Sequence, residues 1–122
     1  LAPALRDVPG TGVTELFAAF RDLVARARAG KLRSSDVAGG TITVTSLGDQ
    51  GVETVYGVIL PPQVALVGFG RISDQPFADR GLLGVKPVVE ITLAADHRAS
   101  DGHRGGRFLS AIARLLQEPE SL

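Results

Sequence analysis

The sequence predicts a mixed α/β domain, a mixed sheet with helices packed on it, and three observations carry that expectation. Residues 15–29 repeat apolar side chains at helical spacing, whereas residues 41–46 alternate with the period of two that belongs to a strand. A β-branched and aliphatic run, residues 86–95, then leads into a second helical pattern. With 122 residues and 44% apolar composition, the chain is long enough for one domain with a core and too short for two ordinary ones.

Taken in order, "LAPALRDV" (Leu1–Val8) reads as a short extended segment, because Pro3 forbids a helix interior and biases Ala2 toward extended geometry. Pro9, Gly10 and Gly12 form a turn. The first helix then runs from about Glu15 to Ala29, with Thr14 as N-cap and Gly30 at the C′ position. Leu16, Phe17, Phe20, Leu23, Val24 and Ala27 form its apolar face. Gly39-Gly40 punctuate the entry to the strand at 41–46, and "LGDQG" follows as a turn. Residues 64–72, "VALVGFGRI", read as a second strand, apolar on both faces as a covered central strand is. A loop containing Gly, Asp and Pro leads to a third strand at 86–95. The last helix extends from about His103 to Gln117 on Phe108, Leu109, Ile112, Leu115 and Leu116, and Pro119 stops it.

Thirteen basic and thirteen acidic residues balance, so no net field draws the chain to nucleic acid or to an anionic membrane. Arg26, Arg28, Lys31 and Arg33 form the one basic cluster and sit at a helix end, where cations complement the dipole. The absence of cysteine excludes disulfides and thiolate zinc sites and fits a cytosolic protein. No apolar run reaches the ~18–20 residues of a membrane span, and no signal peptide is visible. The chain opens at Leu1, within an apolar stretch and without methionine, as a piece of a longer protein would.

Both histidines lie in "AADHRASDGHRGG", residues 94–106. Three readings compete for them. In the first, the stretch is a strand-to-helix corner in which Ser100 or Asp101 caps the last helix. In the second, His97, Asp101 and His103 supply a two-histidine, one-carboxylate metal set. In the third, an imidazole acts as general base near neutral pH, with the carboxylate four residues on holding its ring directly or through an arginine. A histidine base suits a thiol nucleophile, whose ordinary pKa of ~8.5 leaves it mostly protonated. "GFG" at 68–70 lacks the third glycine of a dinucleotide fingerprint. Gly105-Gly106 interrupt the last helix, and close backbone packing is the expected return.

At these residues the chain resembles a known family. "ADHRASDG" is similar to the D-H-R-x-x-D-G signature of the dihydrolipoamide acyltransferases, the core components of 2-oxo acid dehydrogenase complexes. "ARAGKLRSSDVAGGTITVTSLGDQGV" resembles the family's helix-end and G-G-T-F-T segment, "VILPPQVALVGFGRI" its proline-pair strand, and "LAPALRDV" its strand ending in Arg-Asp. The similarity runs in one register from residue 1 to about 120.

The resemblance implies a chloramphenicol-acetyltransferase-like fold, here in part, and acyl transfer between dihydrolipoamide and coenzyme A. His97 matches the base that takes the proton from the attacking thiol, and Asp101 the residue that supports the loop and the histidine. Thr45 matches the hydroxyl that hydrogen-bonds the tetrahedral oxyanion; taken alone it reads as an ordinary strand threonine. Ala99 and Ser100 replace a bulkier apolar pair, and His103 stands where a small residue is common. No residues are assigned to coenzyme A, and no metal is expected.

The match covers the C-terminal half of the family's catalytic domain; its lipoyl and subunit-binding domains are absent from this chain. Lipoamide would therefore arrive on a separate domain. The implied partners are other copies of the chain, as a homotrimer that assembles further into a cage, and the 2-oxo acid dehydrogenase and dihydrolipoamide dehydrogenase components. The implied location is the cytoplasm of a bacterium or the mitochondrial matrix. "ILPPQVALVGFG" and "AADHR" look more like the branched-chain class than the acetyl class. The competing function is a non-catalytic structural or binding core component of such a complex.

Overall fold

A computed structural model describes residues 2–122, so of the expected extended segment Leu1 lies outside the described residues. The chain divides into two compact units, one comprising the residues up to Thr41 with Ile112–Leu122, the other Ile42–Ala111. The architecture is mixed α/β, as the sequence predicts.

In the first unit, helix α1 spans Val13–Arg28. It starts earlier than expected. Thr11 folds back, its hydroxyl donating to the Asp7 carbonyl at 3.0 Å and its N–H to Val8 at 3.1 Å. This turn delivers the chain into the helix at Gly12, which occupies the N-cap, and Thr14 falls inside the first turn instead of capping it. The C-terminus is as expected: Gly30 is left-handed at φ 67°, Lys31 N–H reaches Arg26 O at 2.8 Å and Gly30 N–H reaches Ala27 O at 3.1 Å. Leu23 is buried, but Phe17 and Phe20 stack at 6.5 Å between centroids and stay exposed, so the buried stripe is narrower than the apolar one.

The short helix α2, Ser34–Val37, carries the buried carboxylate of this unit. Asp36 accepts from the Arg33 N–H at 2.8 Å and from the guanidinium groups of Arg33 and Arg26. Arg26 is itself held by Asp22 at 2.9 Å. The Arg26 and Arg33 charges that suggested a helix end therefore neutralise one buried acid. Arg6 donates to the carbonyls of Ser35 at 3.0 Å and Ala38 at 2.8 Å, and Ala4 N–H to Asp36 O at 2.6 Å. Hydrogen bonds tie Ala4 and Arg6 to α2, and among the described residues no ladder makes this segment a strand.

The second unit is built on a three-stranded sheet in the order β1-β2-β5: Ile42–Ser46, Ala65–Phe69 and Ile91–Ala95. β1 runs parallel to β2, and β5 antiparallel to it. β2 is the buried central strand that its apolar sequence predicts. The expected strand at 86–95 is two elements, because Val89 and Glu90 interrupt the ladder. Its first part belongs to β4, Leu82–Val88, which pairs with β3, Ser73–Asp79, as a separate hairpin. Arg80 (φ 52°) and Gly81 (φ 76°) make its two-residue turn, a primed geometry matched to strand twist. The sequence reads residues 73–85 of this hairpin as loop, since Pro76 lies within them, and assigns Pro87 to the strand at 86–95. In a two-stranded ribbon both strands are edges, where proline is tolerated.

Glycines let an extended segment lie across β2. A methyl group at Gly70 would overlap the Glu53 carbonyl, one at Gly68 would meet Val55 Cβ and Thr92 Oγ1 at 2.9 Å, and a side chain at Gly57 would overlap Leu66. Residues 53–57 thus run antiparallel over the face of β2 that bears residues 66, 68 and 70. Thr92 Oγ1 donates to Val55 O, and Val55 is buried. The covered face is the threonine face of β1: Thr43 and Thr45 are half-buried while Ile42 and Val44 are exposed. Helix α3, Gly102–Gln117, follows β5 and ends before Pro119 as expected. Gly105 lies under Leu93, where a methyl would come within 3.3 Å, but nothing lies within 4 Å of one at Gly106. Close packing explains only the first of that pair.

Gly70→Ala should destabilise the full-length protein by about 2–3 kcal/mol or more, because the overlapping partner is backbone and cannot rotate away. Gly106→Ala should be neutral or stabilising by up to about 1 kcal/mol; thermal denaturation of both variants checks the contrast. Asp36 gives a pH signature. The Arg33 N–H, outweighing the opposing effect of burial, holds its carboxyl below the usual carboxylate range, with the Arg33 and Arg26 guanidinium groups adding to it. A folded-state pKa below the unfolded value contributes stability above about pH 4 that is lost as pH falls through the folded value. Asp36→Asn should therefore be less stable at neutral pH and show a shallower loss of stability below about pH 4.

Candidate active site

The second unit contains all the site residues expected from the sequence. Thr45 lies near the end of β1, in the row Thr45–Gly68–Thr92 across the three strands. Period-two alternation puts Thr43 on the same face, where its hydroxyl bonds Gln63 Oε1. None of the side-chain hydrogen bonds among the described residues uses the Thr45 hydroxyl.

His97 lies two residues beyond the other end of the sheet, in the turn after β5. Residues Asp96–Ser100 close that turn: the Asp96 carbonyl accepts from Ala99 N–H at 2.9 Å and Ser100 N–H at 3.0 Å. The Asp96 N–H donates to Val64 O at 2.8 Å, next to the start of β2. His97 itself is exposed.

Asp101 caps α3. Its Oδ1 accepts from the Arg104 N–H at 2.8 Å, and its carbonyl from Gly105 N–H at 3.0 Å. Of the two capping residues the sequence offered, Asp101 is the one that caps. No hydrogen bond joins it to His97 among the described residues. The bonds it makes serve the start of the helix that ends the loop. His97, Asp101 and His103 are not gathered into a metal-holding group among the described residues.

The carboxylate bound closest to His97 in sequence is one that the motif reading passed over. Asp96 Oδ1 accepts from the Arg98 N–H at 2.9 Å and Nε at 3.1 Å, and Oδ2 from Nη2 at 2.7 Å. The Arg98 guanidinium, then its N–H, pull the Asp96 carboxyl down to about 2. The signal was present as an aspartate two residues ahead of an arginine, the spacing of an Asx turn.

Thr45 and His97 stand apart within one chain. Ile42, Ala65 and Ala95 share the row at the end of the sheet nearest His97, and Thr45 is three residues further along and two strands across. At ~3.3 Å per residue and ~4.8 Å per strand, their backbones are roughly 15–20 Å apart.

Known proteins share the sequence and the fold of this chain. The family described as "2-oxoacid dehydrogenases acyltransferase (catalytic domain)" matches residues 1–122. The dihydrolipoyllysine-residue acetyltransferase component of the Mycobacterium tuberculosis pyruvate dehydrogenase complex is 36% identical over 123 residues, covering 97% of this chain and 22% of that protein. The succinyltransferase component of the Escherichia coli 2-oxoglutarate dehydrogenase complex is 35% identical over 122 residues, covering 100% of this chain and 30% of the relative. Among solved structures, the Azotobacter vinelandii dihydrolipoamide acetyltransferase superposes with a TM-score of 0.88 at 28% identity, over 98% of this chain and 49% of that one. A serine, a histidine and an asparagine of that enzyme have been investigated for roles in its catalytic mechanism. They stand 52 and 4 positions apart, the separations of Thr45, His97 and Asp101 here. The present chain spans about half the length of that solved chain and less than a third of these curated relatives. The fold is the chloramphenicol-acetyltransferase-like one expected, and the chain belongs to the acyltransferase catalytic-domain family of the 2-oxo acid dehydrogenases.

Proposed function

We propose that this chain is the C-terminal half of a dihydrolipoamide acyltransferase catalytic domain and transfers an acyl group between dihydrolipoamide and coenzyme A. The observation that carries the reading is His97, exposed on a hydrogen-bonded turn and set at the spacing from Thr45 and Asp101 seen in the Azotobacter enzyme. His97 accepts the proton of the coenzyme A thiol, and the sulfur attacks the thioester carbonyl of the acyl-dihydrolipoamide. The tetrahedral oxyanion accepts a hydrogen bond from the Thr45 hydroxyl, a contribution worth ~2.7–4 kcal/mol of barrier at comparable sites. Collapse of the intermediate breaks the bond to the dihydrolipoamide sulfur, which takes the proton back from His97. Asp101 serves by fixing the start of α3.

The separation of Thr45 from His97 supports a site shared between neighbouring copies, the homotrimer implied by the resemblance, which assembles further into a cage. Lipoamide is delivered on a separate domain, and the 2-oxo acid dehydrogenase and dihydrolipoamide dehydrogenase components are the functional partners. We place the complex in the bacterial cytoplasm or the mitochondrial matrix. The relatives described above are acetyl- and succinyltransferases, which lends the branched-chain lean no support. Rates with acetyl-, isobutyryl- and succinyl-dihydrolipoamide decide the acyl class.

His97→Ala should lower turnover by about 10²–10⁴ in the complete domain. Thr45→Val should lower kcat with little change in KM, because its bond strengthens only in the transition state. Co-expressing the two inactive chains tests the shared site. Random 1:1 mixing should restore about a quarter of the sites, those that keep both groups at one ring contact. Mixed trimers, verified by mass spectrometry, that stay as inactive as their parents would sink the shared site. Asp101→Asn should keep both the cap and most of the activity, since asparagine caps as well as aspartate. Asp101→Ala should cost ~0.5–2 kcal/mol of stability and lower the rate, as read by thermal denaturation and steady-state kinetics.

A further inference from the structure

We propose that Asp96 and Arg98 are positioning residues for His97, a clamp that fixes the turn from which the imidazole acts. The inference rests on His97 being the base.

His97 is the one residue between them. The Asp96 carboxylate reaches past it to the Arg98 N–H at 2.9 Å, closing a small ring around the His97 backbone. The Arg98 guanidinium then closes a second link, Nε to Oδ1 at 3.1 Å and Nη2 to Oδ2 at 2.7 Å, a two-pronged fork that a point charge cannot reproduce. Asp96 is also fastened from behind by its N–H to Val64 O and by the Ala99 and Ser100 N–H groups on its carbonyl. The residue before His97 is thus held to the sheet and the residue after it to that same carboxylate.

Stability does not account for this arrangement. The Arg98 side chain is 89% exposed against 22% for Asp96, and an ion pair whose cation stands in water contributes little to folding. Geometry is what the clamp supplies, and a base misplaced by about 1 Å can lose as much as 10²-fold in rate. The clamp also holds across the working range. Arg98 keeps the Asp96 carboxylate ionised down to about pH 2, far below the ~6.5 at which an ordinary imidazole titrates. Asp101 does not duplicate it, because the bond from its side chain serves the Arg104 N–H.

The test uses the full-length protein with Arg98→Gln, Arg98→Lys, Asp96→Asn and the double variant Asp96→Asn/Arg98→Gln. Steady-state kinetics are read for coenzyme A and the acyl-dihydrolipoamide, and Tm for each protein. Arg98→Gln should lower kcat about 5- to 100-fold, with both KM values within about twofold. Its Tm should stay within about 2 °C of the parent, as expected where the lost cation is exposed to water. Arg98→Lys should recover part of the rate, and the double variant should lose no more than the worse single one. Added to His97→Ala, Arg98→Gln should cost nothing further, since nothing remains to position. A parental kcat in Arg98→Gln beside an inactive His97→Ala overturns this inference alone. So does a loss confined to KM, which would make Arg98 a substrate contact, or an additive loss in the His97→Ala background. A His97→Ala protein that keeps its turnover overturns the base assignment and the clamp together.

Discussion

The close approach of residues 53–57 to β2 is the constraint on which the rest of the second unit depends. Gly68 and Gly70 have no side chains to hold the two backbones apart, and Gly57 spares the Leu66 side chain. The approach buries Val55 and the face of β2 beneath it. It also decides which side of β1 is covered. Because Thr45, Gly68 and Thr92 share one row, the segment that buries Gly68 leaves Thr45 half-buried in a partly desolvated surrounding, where a hydroxyl donor is worth more than in water. One steric permission therefore sets both the packing of the central strand and the environment of the candidate oxyanion donor.

The second constraint is the corner between β5 and α3. A strand that passes into a helix within six residues leaves backbone groups of both elements without ladder partners. Asp96 satisfies those on the strand side and Asp101 those at the helix start. The corner reading and the general-base reading of this stretch prove compatible: capping makes the turn rigid, and a rigid turn is what a base needs.

The parts of the fold legible in the sequence are those where local chemistry and tertiary context agree. The Gly30 terminus of α1, the buried β2 and the extent of α3 follow from a left-handed glycine, an apolar run and a helical period. The hairpin of β3 and β4 was not legible before residue 86, since Pro76 argues against a strand until the pairing leaves it at an edge. Nor was the break at Val89-Glu90, because one β-branched and aliphatic stretch, interrupted by the single charge of Glu90, serves two ladders. The reason for "GFG" was hidden too: a close approach depends on a segment more than ten residues away. Residue chemistry singled out His97 and Asp101 but left their roles open, and Thr45 could be picked out only through the family signature, because spacing in sequence does not state distance in space. Asp96 and Arg98 stood beside them in the same signature, yet only the drawn hydrogen bonds separate a clamp from two solvated charges.

On the proposed mechanism, the reacting sulfur must lie within hydrogen-bond reach of His97, about 2.6–3.2 Å, while the oxyanion it creates lies about 2.7–3.1 Å from the Thr45 hydroxyl. Sulfur and oxyanion belong to one tetrahedral centre, so the two protein groups must converge within several ångströms. Within one chain their backbones stand roughly 15–20 Å apart along and across the sheet. Side-chain reach does not close that gap, and moving either group would mean breaking the ladder that holds Thr45 or the clamp that holds His97. A second copy would remove the conflict without deforming the first, because a heterologous ring contact would present the His97 turn of each subunit to the Thr45 face of the next. Such a contact would also exclude water from an imidazole that one chain leaves exposed. On that proposal assembly and catalysis would be the same requirement: each chain would hold half of the site, and association would bring the halves to reacting distance.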